Sequence, residues 1–168
     1  ELVVQRVREA GAVIVAKSNV PEFASGSHTF NRIFGTTLNP YDTGRSAGGS
    51  SGGSTAALAS GMVPLADGSD MGGSLRNPAS FCNVVGLRPS FGRVHQEPNP
   101  IIFEATSVQG PLVRHVDDLA LLLSVQAGPS PLNPSAHETP GAQFAQVDAL
   151  DLSGLRFAIS TDLDGAFE

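Results

Sequence analysis

The chain is poor in the features that most often announce a function. It has a single cysteine, Cys82, which excludes an internal disulfide and fits a reducing, cytoplasmic setting. In the apolar setting "ASFCNVV" that thiol reads as a small buried core residue rather than a nucleophile. Basic charge is scarce: 10 Lys and Arg against 16 Asp and Glu give a net charge of −6, leaving no electrostatic footprint for a nucleic acid. No apolar run approaches the length of a membrane span, and "ELVVQRVREAG" at the start has none of the layout of a signal peptide. We therefore expect no nucleic-acid partner and no membrane. The four histidines, His28, His95, His115 and His137, are widely spread without paired ligand spacing, so a zinc site or a Ser-His-Asp triad has little support. Only one lysine is present, Lys17.

What is abundant is glycine and proline, 19 and 12 residues in a chain of 168, concentrated between residues 35 and 100. The 40% hydrophobic content with 15% charge suits a globular domain of ordinary size. Residues 1 to 10 place Leu2, Val3, Val7 and Ala10 at helical spacing, with Gly11 as a stop. "AVIVA" (12 to 16) has the pattern of a strand buried on both faces, and "LRFAIS" (155 to 160) repeats it. Residues 18 to 49 show no period and read as a long ordered loop. A helix is expected over 54 to 62, with Ser50, Ser51 or Ser54 near its start and Gly61 at its end. "VPLA" (63 to 66) reads as a strand running into the turn "DGSDMGGS", and 116 to 128 as the clearest helix, with Asp117 and Asp118 at its positive end. The stretch 129 to 143 reads as a surface excursion. Helix followed by buried strand predicts an α/β fold. The missing initial methionine and the strand-like run near the other end lead us to expect an incomplete domain.

Two glycine clusters stand close together, "SAGGSSGGST" (46 to 55) and "SDMGGSLR" (69 to 76). A flexible linker is the bland reading of the first. It lies between apolar segments, however, and leads into a helix, where exposed amides would form an anion or oxyanion site. A phosphate-binding loop is disfavoured, because Ser54 and Thr55 stand where its lysine should follow.

The segment "GGSSGGSTAALASGMVPLADGSDMGGSLRNPASFCNVVGLRPSFGRV" (48 to 94) resembles the signature region of the amidase signature family. The likeness extends through "AVIVAKSNVPEFASG", "NPYD", "GPLVRHVDDLALLLSVQAG" and "DLSGLRFAIS". It implies a partial amidase signature domain over 1 to 168, with the signature at about 46 to 94 and a mixed β-sheet core flanked by helices. The implied activity is hydrolysis of C–N bonds other than peptide bonds in small carboxamides, through an acyl-enzyme and a Ser-cisSer-Lys triad, without a cofactor or metal. By motif position the nucleophile falls on Ser74 and the bridging serine, entered through a cis peptide, on Ser50, 24 residues earlier. The oxyanion hole falls on the N–H groups of Met71, Gly72, Gly73 and Ser74, with Ser51, Asp70 and Arg76 in support.

Such chemistry makes physical sense, since a serine hydroxyl needs a base in reach, directly or by relay, and the nascent oxyanion needs aimed donors. The family's base is a lysine of a "VKD"-like motif that precedes an element resembling the surroundings of Lys17, so Lys17 is not that base and the chain alone should be nearly inactive. Glu22 and Asn39 read as structural, and Met71 points to an apolar acyl neighbourhood. The resemblance also leaves room for a homodimer of a longer parent. The competing expectation is a truncated, non-catalytic relic that keeps its amides as an anion-binding module.

Overall fold

The computed structural model describes residues 1–96, 101, 103–148 and 150–160. Helices and sheets alternate around a three-stranded antiparallel sheet in the order β5-β7-β6, formed by Leu65–Asp70, Val108–Val113 and Val85–Gly86. β5 and β7 run in register from Leu65 opposite Val113 to Asp70 opposite Val108. Four helices pack about it: α1 (Leu2–Glu9), α2 (Gly52–Ala59), α3 (Arg76–Phe81) and α4 (Val116–Gln126). Two small antiparallel hairpins, β1–β2 (Phe30–Asn31, Gly35–Thr36) and β3–β4 (Leu38–Asn39, Asp42–Ser46), occupy the expected loop of 18 to 49.

The apolar contacts form two clusters. Val3 of α1 meets Val94, Leu123 and Ala127, with Leu87 and Phe144 against them. Leu58 of α2, Leu75, Ala79 of α3 and Leu112 of β7 form the second. Each fully buried leucine contributes roughly 2 kcal/mol by leaving water. Helix ends are closed by distant arginines: Arg6 donates to the carbonyls of Gln126 at the end of α4 and Pro129 beyond it (2.9 and 2.6 Å), and Arg114 to those of Leu58 in the last turn of α2 and Val63 beyond it (2.9 and 2.7 Å). A cation at a helix C-terminus satisfies orphan carbonyls and opposes the dipole.

The helices 1–10, 54–62 and 116–128 are found close to their expected bounds. The strands are not. Residues 12–16 and 155–160 carry no strand assignment, and Val13, Val15, Phe157 and Ile159 are exposed. A strand buried on both faces exists only between neighbours, and among the described residues none pairs with either segment. The strand expected at 63–66 starts at Leu65 and continues to Asp70, so "DGSD" is strand rather than turn. β7 passed unnoticed because Gly110 and Pro111 look like turn residues. The Pro111 carbonyl accepts from Leu87 N–H (3.2 Å), so its nitrogen faces the β6 side, just past the end of β6 at Gly86, and its missing N–H costs β5 nothing. A side chain at Gly110 would stand 2.3 Å from the Leu87 carbonyl oxygen, which explains the glycine beside it.

Candidate active site

β5 ends at Asp70, and the chain then turns through Met71 to Leu75 into α3. Leu75 is fully buried in the second apolar cluster, so the residue before it, half-buried Ser74, is anchored by core packing. The turn itself is organised by one carboxylate. Asp70 Oδ1 accepts from Gly73 N–H (2.8 Å), and Oδ2 accepts from Leu75 N–H (3.2 Å) and Arg76 N–H (3.4 Å). Arg76 adds a bidentate pair, Nε to Oδ2 at 2.9 Å and Nη2 to Oδ1 at 3.0 Å. Burial by itself pushes the Asp70 carboxyl up, but Arg76 and the three backbone N–H groups more than offset that and hold it well below the usual carboxylate range. The carboxylate is therefore ionised at neutral pH and acts as a template for the turn.

Gly73 N–H, expected among the oxyanion donors, points back to Asp70, because the carboxylate lies inside the turn. Among the described residues the N–H groups of Met71, Gly72 and Ser74 have no acceptor. Met71 and Gly72 are exposed and Ser74 is half-buried.

The other glycine cluster lies alongside. The Gly49–Ser50 peptide bond is cis, and Ser50 is 2% exposed. Ser51 N–H donates to the Ser74 carbonyl at 3.3 Å, which ties the Ser50 loop to the Ser74 turn. Ser51 Oγ is bonded to both backbone groups of Ser69 in β5, accepting from its N–H (3.3 Å) and donating to its carbonyl (3.4 Å). Ser54 Oγ donates to the Asp67 carbonyl (2.9 Å) and meets Ser18 Oγ at 2.9 Å. Both serines brace α2 against β5, and neither caps the helix with its side chain. Among the described residues, the hydroxyls of Ser50 and Ser74 make no hydrogen bond to each other or to another group.

Thr29 is a residue that sequence reasoning missed. Fully buried, its Oγ1 lies within donating distance of the carbonyls of Gly48 (2.9 Å) and Ser50 (3.2 Å) and accepts from Gly52 N–H (3.1 Å). It holds the Ser50 loop from behind. A threonine in an aperiodic loop carries no signal of such a role. Gly53 N–H is likewise satisfied, by the Asn19 carbonyl at 3.2 Å. The start of α2 is thus not the exposed anion site expected of the first glycine cluster, and its buried, bonded residues are no flexible linker.

Lys17 is exposed and outside any helix or strand. Cys82 is buried, with its thiol pushed up by that burial, which suits a core residue. Asn39 is structural, donating to the Phe81 carbonyl at 2.7 Å and accepting from Tyr41 N–H at 2.9 Å. Among the described residues no cluster of three His, Cys, Asp or Glu could hold a metal, and no helix is long and apolar enough to cross a membrane.

The chain belongs to the amidase signature family, whose family profile, described as Amidase, matches residues 1–167. It is 45% identical over 157 residues to a subunit of the glutamyl-tRNA(Gln) amidotransferase of Prochlorococcus marinus (strain MIT 9211), covering 94% of this chain and 32% of that protein. It is 44% identical over 158 residues to the AtzE subunit of the 1-carboxybiuret hydrolase of Pseudomonas sp. (strain ADP), covering 94% of this chain and 35% of that one. Its structure superposes on that of a 6-aminohexanoate cyclic dimer hydrolase complexed with substrate, with a TM-score of 0.80 and 40% identity, over 86% of this chain and 31% of the other. The chain spans about a third of the length of the curated relatives it matches.

Proposed function

We propose that this chain carries the serine half of an amide hydrolase centre, with Ser74 as nucleophile and Ser50 as proton relay. Ser74 Oγ attacks the carbonyl carbon of a small carboxamide while its proton passes toward Ser50. The oxyanion is met by the N–H groups of Met71, Gly72 and Ser74. As the C–N bond breaks, the departing amine takes a proton back through Ser50, leaving an acyl ester on Ser74 that water then hydrolyses. The reading is supported by one observation: among the described residues the Asp70-bound turn leaves those donors without an acceptor, beside a hydroxyl anchored by Leu75. Hydroxyl pairs of this kind often tighten only around substrate, and the Ser51–Ser74 link already holds the two loops together.

A relay needs a terminal base. Lys17, exposed and without a bonded neighbour among the described residues, is not suited to that task, and we assign it to a lysine outside these 168 residues. A buried lysine with a depressed pKa would draw the proton through Ser50. Labelling of the full protein with a fluorophosphonate, together with turnover of a simple aryl amide, tests this. Ser74→Ala should abolish both, whereas Lys17→Ala should leave both within about twofold of wild type. Continued labelling of Ser74→Ala would refute the nucleophile. A loss of more than about tenfold in Lys17→Ala, where one missing acid–base group typically costs 10²–10⁴, would refute the base assignment.

A further inference from the structure

Asp70 faces a second guanidinium that its charge does not require. Arg76 already neutralises the carboxylate with two parallel hydrogen bonds, and Arg88 Nη1 reaches Oδ1 only at 3.2 Å. The same Nη1 makes a close hydrogen bond to the backbone carbonyl of Asp70, while Nη2 donates to the carbonyl of Thr106 at 3.0 Å. Thr106 belongs to a short segment that is itself fixed by Glu104, whose carboxylate accepts from the N–H groups of Thr106 (2.6 Å) and Ser107 (3.1 Å) and from the Thr106 hydroxyl. Arg88 is therefore a strut between the last residue of β5 and the loop that leads into β7 at Val108. Its side chain is 26% exposed, against 55% for that of Arg76.

The carbonyl it grips matters because of peptide geometry. The C=O of Asp70 and the N–H of Met71 belong to one planar trans unit and point in opposite directions. Fixing the carbonyl toward Arg88 fixes the Met71 N–H away from it, where no acceptor among the described residues meets it. We propose that Arg88 is a positioning residue that aims the Met71 N–H as an oxyanion donor, acting through the Asp70–Met71 peptide plane. This rests on the reading of Ser74 as nucleophile. A planar fork suits the role, since two different nitrogens serve two carbonyls at once. An ammonium group keeps the charge without that fork.

The test compares wild type, Arg88→Ala and Arg88→Lys in the full protein. It measures the inactivation rate constant and the apparent binding constant of a fluorophosphonate, with kcat and KM for an aryl amide, all normalised to folded protein. Misplacing one donor should lower the inactivation rate and kcat by about 10- to 100-fold in Arg88→Ala, with KM and the probe's binding constant within about twofold. Arg88→Lys should recover only part of the loss. A merely structural role would lower the folded fraction and leave the normalised kcat unchanged. Folded Arg88→Ala with wild-type rates would overturn the proposal, and so would wild-type rates in Arg88→Lys if Arg88→Ala does not fold. Failure of wild type itself to label would overturn the nucleophile reading and this proposal with it, whereas normal wild-type labelling isolates the result to Arg88.

Discussion

Replacing Asp70 by asparagine is the sharpest probe of how the site is built. The substitution keeps the shape and one acceptor oxygen but removes the charge and turns an NH₂ toward groups that are themselves donors. The fully buried carboxylate holds three backbone N–H groups and one bidentate guanidinium. A net hydrogen bond to a charged group is worth about 1.5–3 kcal/mol, and at least one of the buried N–H bonds must fail. Arg76 is about half exposed and recovers water when its partner goes, so its share is discounted. Breaking a buried pair from one side costs about 3–5 kcal/mol, and with that discount we expect a loss of about 3 kcal/mol at pH 7.

The pH dependence follows from the depressed folded-state pKa. The unfolded carboxyl titrates near about 3.9, so the Asp70 contribution is fully present above that pH and is lost as pH falls toward the lower folded value. Denaturant titrations of wild type and Asp70→Asn should therefore differ most at pH 7 and converge below about pH 4. A difference under about 1 kcal/mol at pH 7, or one unchanged at pH 2.5, would refute the template role.

Two further outcomes bear on the Ser50 loop. Thr29→Val preserves shape but leaves the buried Gly52 N–H without its acceptor, so denaturation should show a loss of about 1–3 kcal/mol, accompanied by slower labelling of Ser74. A Cβ at Gly53 would stand 2.4 Å from both the nitrogen and the carbonyl oxygen of Asn19. Gly53→Ala should thus lower stability by about 1–3 kcal/mol or more in the same assay, whereas Gly61→Ala, with open space at its Cβ but a φ of +74°, should cost only about 1 kcal/mol.

The local pattern of the sequence was enough for α1, α2 and α4, though not for the short α3, which carries no helical period of its own. Leu2, Val3 and Val7 at helical spacing, or the leucines of 116–126, bury one face almost wherever they are placed, and the helix bonds are internal. The family was legible too, in a long match of residue types at fixed positions over 48 to 94. Strands were a different matter. Val13 to Val15 has the composition of an inner strand and, among the described residues, none of its pairing, while "DGSD" has the composition of a turn and is held extended along its whole length by β7.

Three-dimensional packing alone decided where the donors point. Nothing in "SDMGGSLR" tells that the Gly73 amide is spent inside the turn, that Arg88 grips the Asp70 carbonyl from 18 residues away, or that Thr29 closes the back of the Ser50 loop. The reason is that a chain's own period fixes contacts within a few residues. A buried hydrogen bond between distant residues exists only after the core has brought its two ends together, and the core here is Leu58, Leu75, Ala79 and Leu112 meeting across α2, α3 and β7.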